Sequence, residues 1–267
     1  MNAAAHLRRI GIAGKLAPNA RTLARLHRRH LLTVPFENLS IHMGEPIRLD
    51  EAALYEKIVR RRRGGFCYEL NGLFAALLRG LGFPVTLLSA GVAREGGGFG
   101  PEYDHLLLLV ELRKRWLVDV GFGENFRRPL DLDAPGIQHQ GAKAYRIRHR
   151  GRYRILRERA SNGRWTDSYR FSLTPRKLAD FAAMCRHHRT SPNSHFTRDR
   201  ICSLAVPSGR VTLSGLRLIE TGRAGPGRER AVADEEEYRR VLADLFGIRL
   251  PRGAAFKSIL GGNKTPR

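Results

Sequence analysis

Acidic residues are scarce in this chain of 267: 25 Asp and Glu stand against 48 Lys and Arg, a formal charge of +23. So basic a balance points to a polyanionic partner, nucleic acid being the obvious class. The motifs such proteins use are missing, with no zinc-finger spacing and no aromatic run of the RNA-recognition type. Cysteine is scarcer still. Cys67, Cys185 and Cys202 have no metal-ligand spacing and cannot form a closed set of pairs, so no metal is expected and a cytoplasmic location fits. No run of about 18 apolar residues occurs, which excludes a membrane-spanning helix and a membrane partner of that kind. P-loop and dinucleotide fingerprints and internal repeats are absent too. With 42% hydrophobic residues the chain can still bury a sizeable core, enough for two or three modest domains.

What is present is chemically pointed. In Arg63-Gly64-Gly65-Phe66-Cys67-Tyr68-Glu69-Leu70-Asn71 a glycine-rich turn runs into a helix, whose apolar face is Leu70, Leu73, Phe74, Leu77, Leu78 and Leu81 and whose stop is Gly80 and Gly82. Cys67 falls in the first turn, where unpaired N–H groups and the helix dipole favour thiolate over thiol. Downstream, His105 opens the strand-like run 105–110, and Asp119 closes the run 116–120 ahead of Gly121-Phe122-Gly123. The charged stretch Arg113-Lys114-Arg115 suggests a hairpin between them. A three-residue connection centred on Leu112 would set His105 opposite Asp119, whereas a two-residue turn at Arg113-Lys114 would stagger them by about three residues, roughly 10 Å at strand rise. Sequence leaves that register open. If the pair meets, Asp119 would orient the imidazole and His105 would carry the Cys67 proton.

The remaining organisation is coarse. Residues 1–83 read mainly as helices with a break at Thr33-Val34-Pro35, and from Val85 to Tyr169 short β-like runs alternate with glycine and basic turns. Gly96 to Pro101 is a flexible loop just before His105. Leu173 to Arg189 and Glu235 to Phe246 read as helices, Val211 to Glu220 as a hairpin arm, 222–230 as a turn or linker and 261–267 as a disordered tail. Arginine recurs at 146, 148, 150, 152 and 154, which predicts one arginine face on a hairpin turning near Gly151, with Tyr145, Ile147, His149, Tyr153 and Ile155 opposite.

These residues carry a family resemblance. Arg9-Ile10-Gly11, Leu26-His27 with His30, Val34 to Leu39, the turn around Cys67, the strand at His105, Val118 to Gly123, and Ser191-Pro192-Asn193-Ser194-His195-Phe196-Thr197 followed by Cys202-Ser203 resemble an arylamine N-acetyltransferase. The likeness runs over residues 6–215. It argues against reading the basic N-terminus, which has no acidic residue before Glu37, as a transit peptide. The resemblance implies an α+β, three-part architecture with a cysteine-protease-like catalytic core: a helical domain at 1–84, a β-barrel at 85–190 and a smaller α/β lid-like domain at 191–267. It carries the catalytic trio onto Cys67, His105 and Asp119, and the acetyl-coenzyme A side onto Ser191, Phe196 and Thr197.

The expected reaction is therefore ping-pong acetyl transfer. Cys67 attacks acetyl-coenzyme A, a co-substrate rather than a tightly bound cofactor, and an aromatic amine or hydrazine takes the acetyl group from the enzyme. Phe66, Phe99 and Phe122 flank the proposed catalytic elements and are the candidates for the apolar acceptor pocket. Glu37 and Arg63 read as a structural ion pair. The same trio with water as acceptor would give an amidase, and a related acyltransferase would make an amide within a natural product. A basic nucleic-acid-binding protein on an enzyme fold is the reading outside this class, although nucleic acid is not the expected partner.

Overall fold

The computed structural model describes residues 2–159, 163–222, 227–251 and 253–256. The expected tail at 261–267 lies outside them, as does part of the expected turn at 222–230. The first third forms helices α1 (Ala3–Arg9), α2 (Ala20–Leu31), α3 (Leu39–His42), α4 (Glu51–Tyr55) and α5 (Cys67–Gly80). Asn2, Asn19 and Asp50 start three of them by accepting the N–H groups of Ala5, Thr22 and Ala53, which would otherwise lack partners. Helix α2 buries Leu23, Leu26, His27 and His30 along one face. Helix α5 is buried on nearly every side, with Leu70, Leu73, Phe74, Leu77 and Leu78 fully covered.

Eight antiparallel strands follow: β2 (Val85–Val92), β3 (His105–Glu111), β4 (Arg115–Val118), β5 (Leu130–Asp131), β6 (Gln138–Gln140), β7 (Lys143–Arg150), β8 (Tyr153–Arg159) and β9 (Trp165–Phe171). Their order is β5-β4-β3-β2-β9-β8-β7-β6. The two edges are joined by a side chain: the Gln138 amide donates to the Asp131 carbonyl at 2.9 Å and accepts the Asp131 N–H at 2.8 Å, so a nearly closed barrel results. Strand β3 shows why its leucine run is unbroken. Leu107 and Leu109 face the barrel core, while Leu106 and Leu108 face the helices, so both sides are buried.

A second sheet, β1-β10-β11-β12-β13, joins β10 (Ile201–Val206), β11 (Gly209–Ser214), β12 (Arg217–Gly222) and β13 (Arg228–Ala231) to β1 (Phe36–Glu37) from the N-terminal third. Phe36 pairs with Ser203 and Glu37 with Cys202. Helices α6 (Ala182–Thr190) and α7 (His195–Arg198) precede this sheet, and α8 (Glu235–Phe246) packs on it through Tyr238, Val241, Leu242 and Phe246. Helix α8 occupies the span its sequence predicts, with Asp234 capping Glu237 N–H.

The arginine face needs a correction. Arg150 pairs with Tyr153, Arg148 with Ile155 and Arg146 with Arg157, so across this hairpin an even-numbered residue shares its face with an odd-numbered one. Arg146, Arg148 and Arg150 lie on the outer face with Tyr153 and Ile155, and Arg154 falls on the opposite face, across from His149. The pattern of every second residue does not survive the turn at Gly151 and Arg152. What was read as one strip is divided, and Arg146 stacks on the Trp165 ring at 4.4 Å.

Arg63 and Glu37 form a two-pronged ion pair in the interior, Nε to Oε1 and Nη2 to Oε2, both at 3.0 Å. Burial pushes the Glu37 carboxyl up, but Arg63, Lys57 and the Leu39 N–H outweigh it and hold the group at about 2. Because the folded value lies below the free value of 4.5, this stabilisation is present above that pH and is lost as pH falls toward about 2. Arg63→Met would leave the buried carboxylate with Lys57 at 3.9 Å as its one remaining cation among the described residues, and denaturant unfolding is expected to show a loss of about 3 kcal/mol. An unfolding midpoint equal to that of the unaltered protein would show that the pair holds nothing together.

Candidate active site

The turn before Cys67 is set by two close approaches. A Cβ on Gly64 would lie 1.9 Å from the Pro35 carbonyl oxygen, and one on Gly65 would lie 2.7 Å from the Glu69 side chain. Only glycine leaves room there. Glu69 reaches back to accept the Phe66 N–H at 3.2 Å and is gripped by Lys57 at 2.7 Å, which fixes the first turn of α5. Cys67 is the first residue of that helix.

The hairpin register is resolved by Glu111 pairing with Arg115 and Leu108 with Val118, a three-residue connection centred on Arg113. His105 and Asp119 are therefore two residues out of direct opposition, a register between the two that the sequence left open. Pairing stops at Val118, and the chain then bends so that Asp119 Oδ2 accepts from His105 Nε2 at 2.8 Å. His105 Nδ1 is left for another partner. Asp119 Oδ1 is held by Asn71 Nδ2 at 2.9 Å and the Gly121 N–H at 3.0 Å. Burial pushes the Asp119 carboxyl up, but His105 and these donors outweigh it, so the group lies below its ordinary value and is ionised at neutral pH.

Asn71 stands one helical turn after Cys67 and ties three elements together. Its amide donates to the Leu106 carbonyl and to Asp119, and its oxygen accepts the Val120 N–H at 2.9 Å. Its place four residues beyond Cys67 was a readable signal of a shared face. Gly121 gave no such signal, yet a Cβ there would lie 2.7 Å from Cys67 Cα. Burial pushes the Cys67 thiol well up, Asp119 adds to the rise, and the Leu106 N–H pulls the other way. The expected advantage of the helix start is thus opposed by enclosure, and a thiolate here depends on a group that takes the proton.

The aromatic candidates divide. Phe122 sets its edge 5.2 Å from the His105 ring and 5.2 Å from Tyr169. Phe66 is fully buried and packs on Phe196 at 5.5 Å and Tyr68 at 5.0 Å. Phe99 sits under the Arg170 guanidinium at 5.2 Å. Thr197 Oγ1 donates to the carbonyls of Ser191 and Ser194, and Ser191 Oγ accepts the Asn193 N–H, so both hydroxyls serve their own turn. That turn seats Phe196 against Phe66 and Phe36.

Where the barrel meets the second sheet lies a cavity of about 560 Å³, lined by Arg28, Arg127, Arg128, Lys143 and Arg210 with Glu124. Arg210 is 9% exposed, donates to Ser203 Oγ and has no carboxylate in ion-pair range among the described residues.

Residues 19–255 match the family model described as N-acetyltransferase, which places the chain in that class of acyltransferase. It is 36% identical to the arylamine N-acetyltransferase, pineal gland isozyme NAT-3, of Gallus gallus over 88% of this chain and 89% of that one. It is 30% identical to the proansamycin X synthase of Amycolatopsis mediterranei over 90% of this chain and 95% of that one. The structure of the Mycobacterium marinum arylamine N-acetyltransferase in complex with CoA superposes with a TM-score of 0.85 at 31% identity, covering 92% of this chain and 93% of that one. The chain belongs to the arylamine N-acetyltransferase family.

Proposed function

We propose that the chain transfers an acetyl group from acetyl-coenzyme A to an aromatic amine or hydrazine through an acetyl-Cys67 intermediate. The observation that carries this reading is the convergence of the Cys67 helix start with the His105–Asp119 pair around Asn71. His105 takes the Cys67 proton on Nδ1 as sulfur attacks the thioester carbonyl, Asp119 stabilises the imidazolium, and coenzyme A leaves as the thiol on receiving that proton. The amine then attacks the acetyl carbon, losing its proton to His105, and Cys67 is released. Phe122 packs against the acceptor ring and Phe99 shapes the wall around it, while Phe66, fully buried against Phe196 and Tyr68, backs the pocket without touching the ring. Phe196, seated by Ser191 and Thr197, borders the donor side.

The charge supports coenzyme A as donor. Gly121 packs on Cys67, and Glu124, three residues later and so within about 11 Å along an extended chain, already lines the cationic cavity. Five cations against one carboxylate suit the phosphate groups of a donor whose thioester lies at the cysteine. The three free cysteines fit a reducing cytoplasm, and no helix among the described residues is long and apolar enough to cross a membrane. A related reading, a synthase on the same fold rather than an arylamine acetyltransferase, is favoured by the likeness to proansamycin X synthase.

Intact mass before and after acetyl-coenzyme A, then with a panel of arylamines or with water alone, tests the proposal. A gain of one acetyl group that only the amines discharge supports it; discharge by water alone at the same rate would mark a hydrolase. The outer arginines provide a separate check. Arg148, Arg150 and Arg152 are exposed on the barrel hairpin, so replacing all three by Gln is expected to leave the coenzyme A affinity at about 0.15 M salt nearly unchanged. Weaker binding with a flatter salt dependence would place the phosphates on that hairpin instead.

A further inference from the structure

We propose that His27 is a positioning residue for the transfer reaction, holding the main chain of Asp119 in the place that the ended strand β4 no longer supplies. The proposal rests on the reading of Cys67, His105 and Asp119 as the reacting trio. His27 lies on α2, is fully buried, and stands outside that trio. Its Nε2 is 3.0 Å from the Asp119 carbonyl oxygen and its Nδ1 is 3.1 Å from the Arg127 carbonyl oxygen. One ring thus spans both ends of the loop 119–127. Within that loop Gly121 packs on Cys67 and Phe122 on His105.

The two ends are not equally dependent on it. At the Arg127 end, the Arg127 N–H donates to Gln140 Oε1 and its guanidinium donates to the Val206 and Gly209 carbonyls, so that end is fastened without His27. At the Asp119 end, ladder pairing has stopped at Val118; Asn71 holds the Asp119 carboxylate and the Val120 N–H, and the Asp119 main chain itself faces His27, its carbonyl at 3.0 Å and its N–H at 3.4 Å. The ring itself is wedged, stacked on Phe126 at 5.6 Å and 10° and set edge-on to Phe74 at 6.4 Å. Burial lowers its basicity to about 4, so at neutral pH it carries a single N–H and can serve only one of the two carbonyls as donor. The groups facing it are main-chain oxygens, the two phenyl rings and, one turn along α2, the equally buried His30; Asp119 is the acid that opposes the lowering. Because the Arg127 end has its own bonds, and Asn71 grips the Asp119 carboxylate and the Val120 N–H but not the Asp119 carbonyl, that carbonyl is where the ring matters. A small rotation of Asp119 there would swing His105 off Cys67, and misplacement of about 1 Å at a reacting centre costs on the order of 100-fold in rate.

The amide substitutions separate the two ends, since Gln places a nitrogen near the Nε2 position and Asn near the Nδ1 position. His27→Gln should keep kcat/KM within about 3-fold of the unaltered protein, whereas His27→Asn and His27→Leu should each lose on the order of 10 to 100-fold. The loss should lie in kcat rather than in acceptor KM, because the ring touches the relay and not the acceptor. Alkylation of Cys67 by iodoacetamide across pH gives a readout free of either substrate, and should slow in His27→Leu and His27→Asn but not in His27→Gln. Asp119→Asn serves as the reference. If that variant alkylates as fast as the unaltered protein, the trio itself is wrong. If it is slower while His27→Leu, folded by circular dichroism, matches the unaltered protein, the positioning role of His27 is wrong and the trio stands. Equal activity of the Gln and Asn variants would also overturn the role, and that comparison holds even where His27→Leu fails to fold.

Discussion

Cys67→Ala should retain the fold and lose transfer by about four orders of magnitude or more, the scale seen when a covalent nucleophile is removed. The fold should survive because the change deletes one sulfur at the start of a helix whose grip lies elsewhere, in the Glu69–Lys57 pair, the Arg63–Glu37 pair and the leucine face of α5. Activity should not survive because no other thiol can substitute. Cys185 and Cys202 are buried and pushed up as Cys67 is, Cys185 to about 12, so what sets Cys67 apart is its place at the helix start beside Asn71 and the His105–Asp119 pair. A second His–Asp pair, His188 with Asp104 at 3.2 Å, lies one helical turn from Cys185, so mapping the adduct is what separates the two thiols. Peptide mapping after incubation with acetyl-coenzyme A should therefore place the single acetyl group on Cys67. An adduct on Cys185 or Cys202 with Cys67 untouched would remove the basis of the assignment, as would turnover in the folded Ala variant.

How far this site could be read from sequence depends on whether its parts are local. The helix start at Cys67 was legible because glycines, an apolar period and a stop all lie within about twenty residues. Asn71 was missed, although its place one turn along the same helix is a signal that could have found it. The meeting of His105 with Asp119 was legible only as a choice of registers. The turn centred on Arg113 decided it, together with the bend after Val118, and no local residue type dictates that bend. His27 and Gly121 were not readable as site residues, since their roles arise from contacts 92 residues apart in one case and across a helix start in the other. The same limit applies to the fold. A two-residue strand, Phe36–Glu37, pairs with Ser203 and Cys202, and one glutamine side chain closes the barrel; neither leaves a periodic trace. The arginine pattern failed for a different reason: alternation was counted through a turn, and pairing across it exchanges odd for even.

Asp119→Asn should be the second great loss, on the order of 10³ to 10⁴ in kcat/KM with the protein still folded. The donors around the carboxylate decide the outcome. Oδ1 accepts from Asn71 Nδ2 and from the Gly121 N–H, while Oδ2 accepts from His105 Nε2 at 2.8 Å. An asparagine there has one oxygen and one amino group to place. Setting the amino group toward Asn71 and Gly121 would press it against two donors, so the oxygen takes that side and the amino group faces His105. The His105 nitrogen turned toward it must then accept, which moves the ring proton to Nδ1, the nitrogen that has to take the proton of Cys67. The variant keeps its shape and its hydrogen bonds but holds the wrong tautomer, and it has lost the charge that would stabilise imidazolium. Circular dichroism and the unfolding midpoint should stay near those of the unaltered protein while acetylation of Cys67, followed by intact mass, becomes slow. Near-normal acetylation in a folded Asp119→Asn protein would show that His105 does not depend on Asp119, and the relay proposed for this site would have to be abandoned.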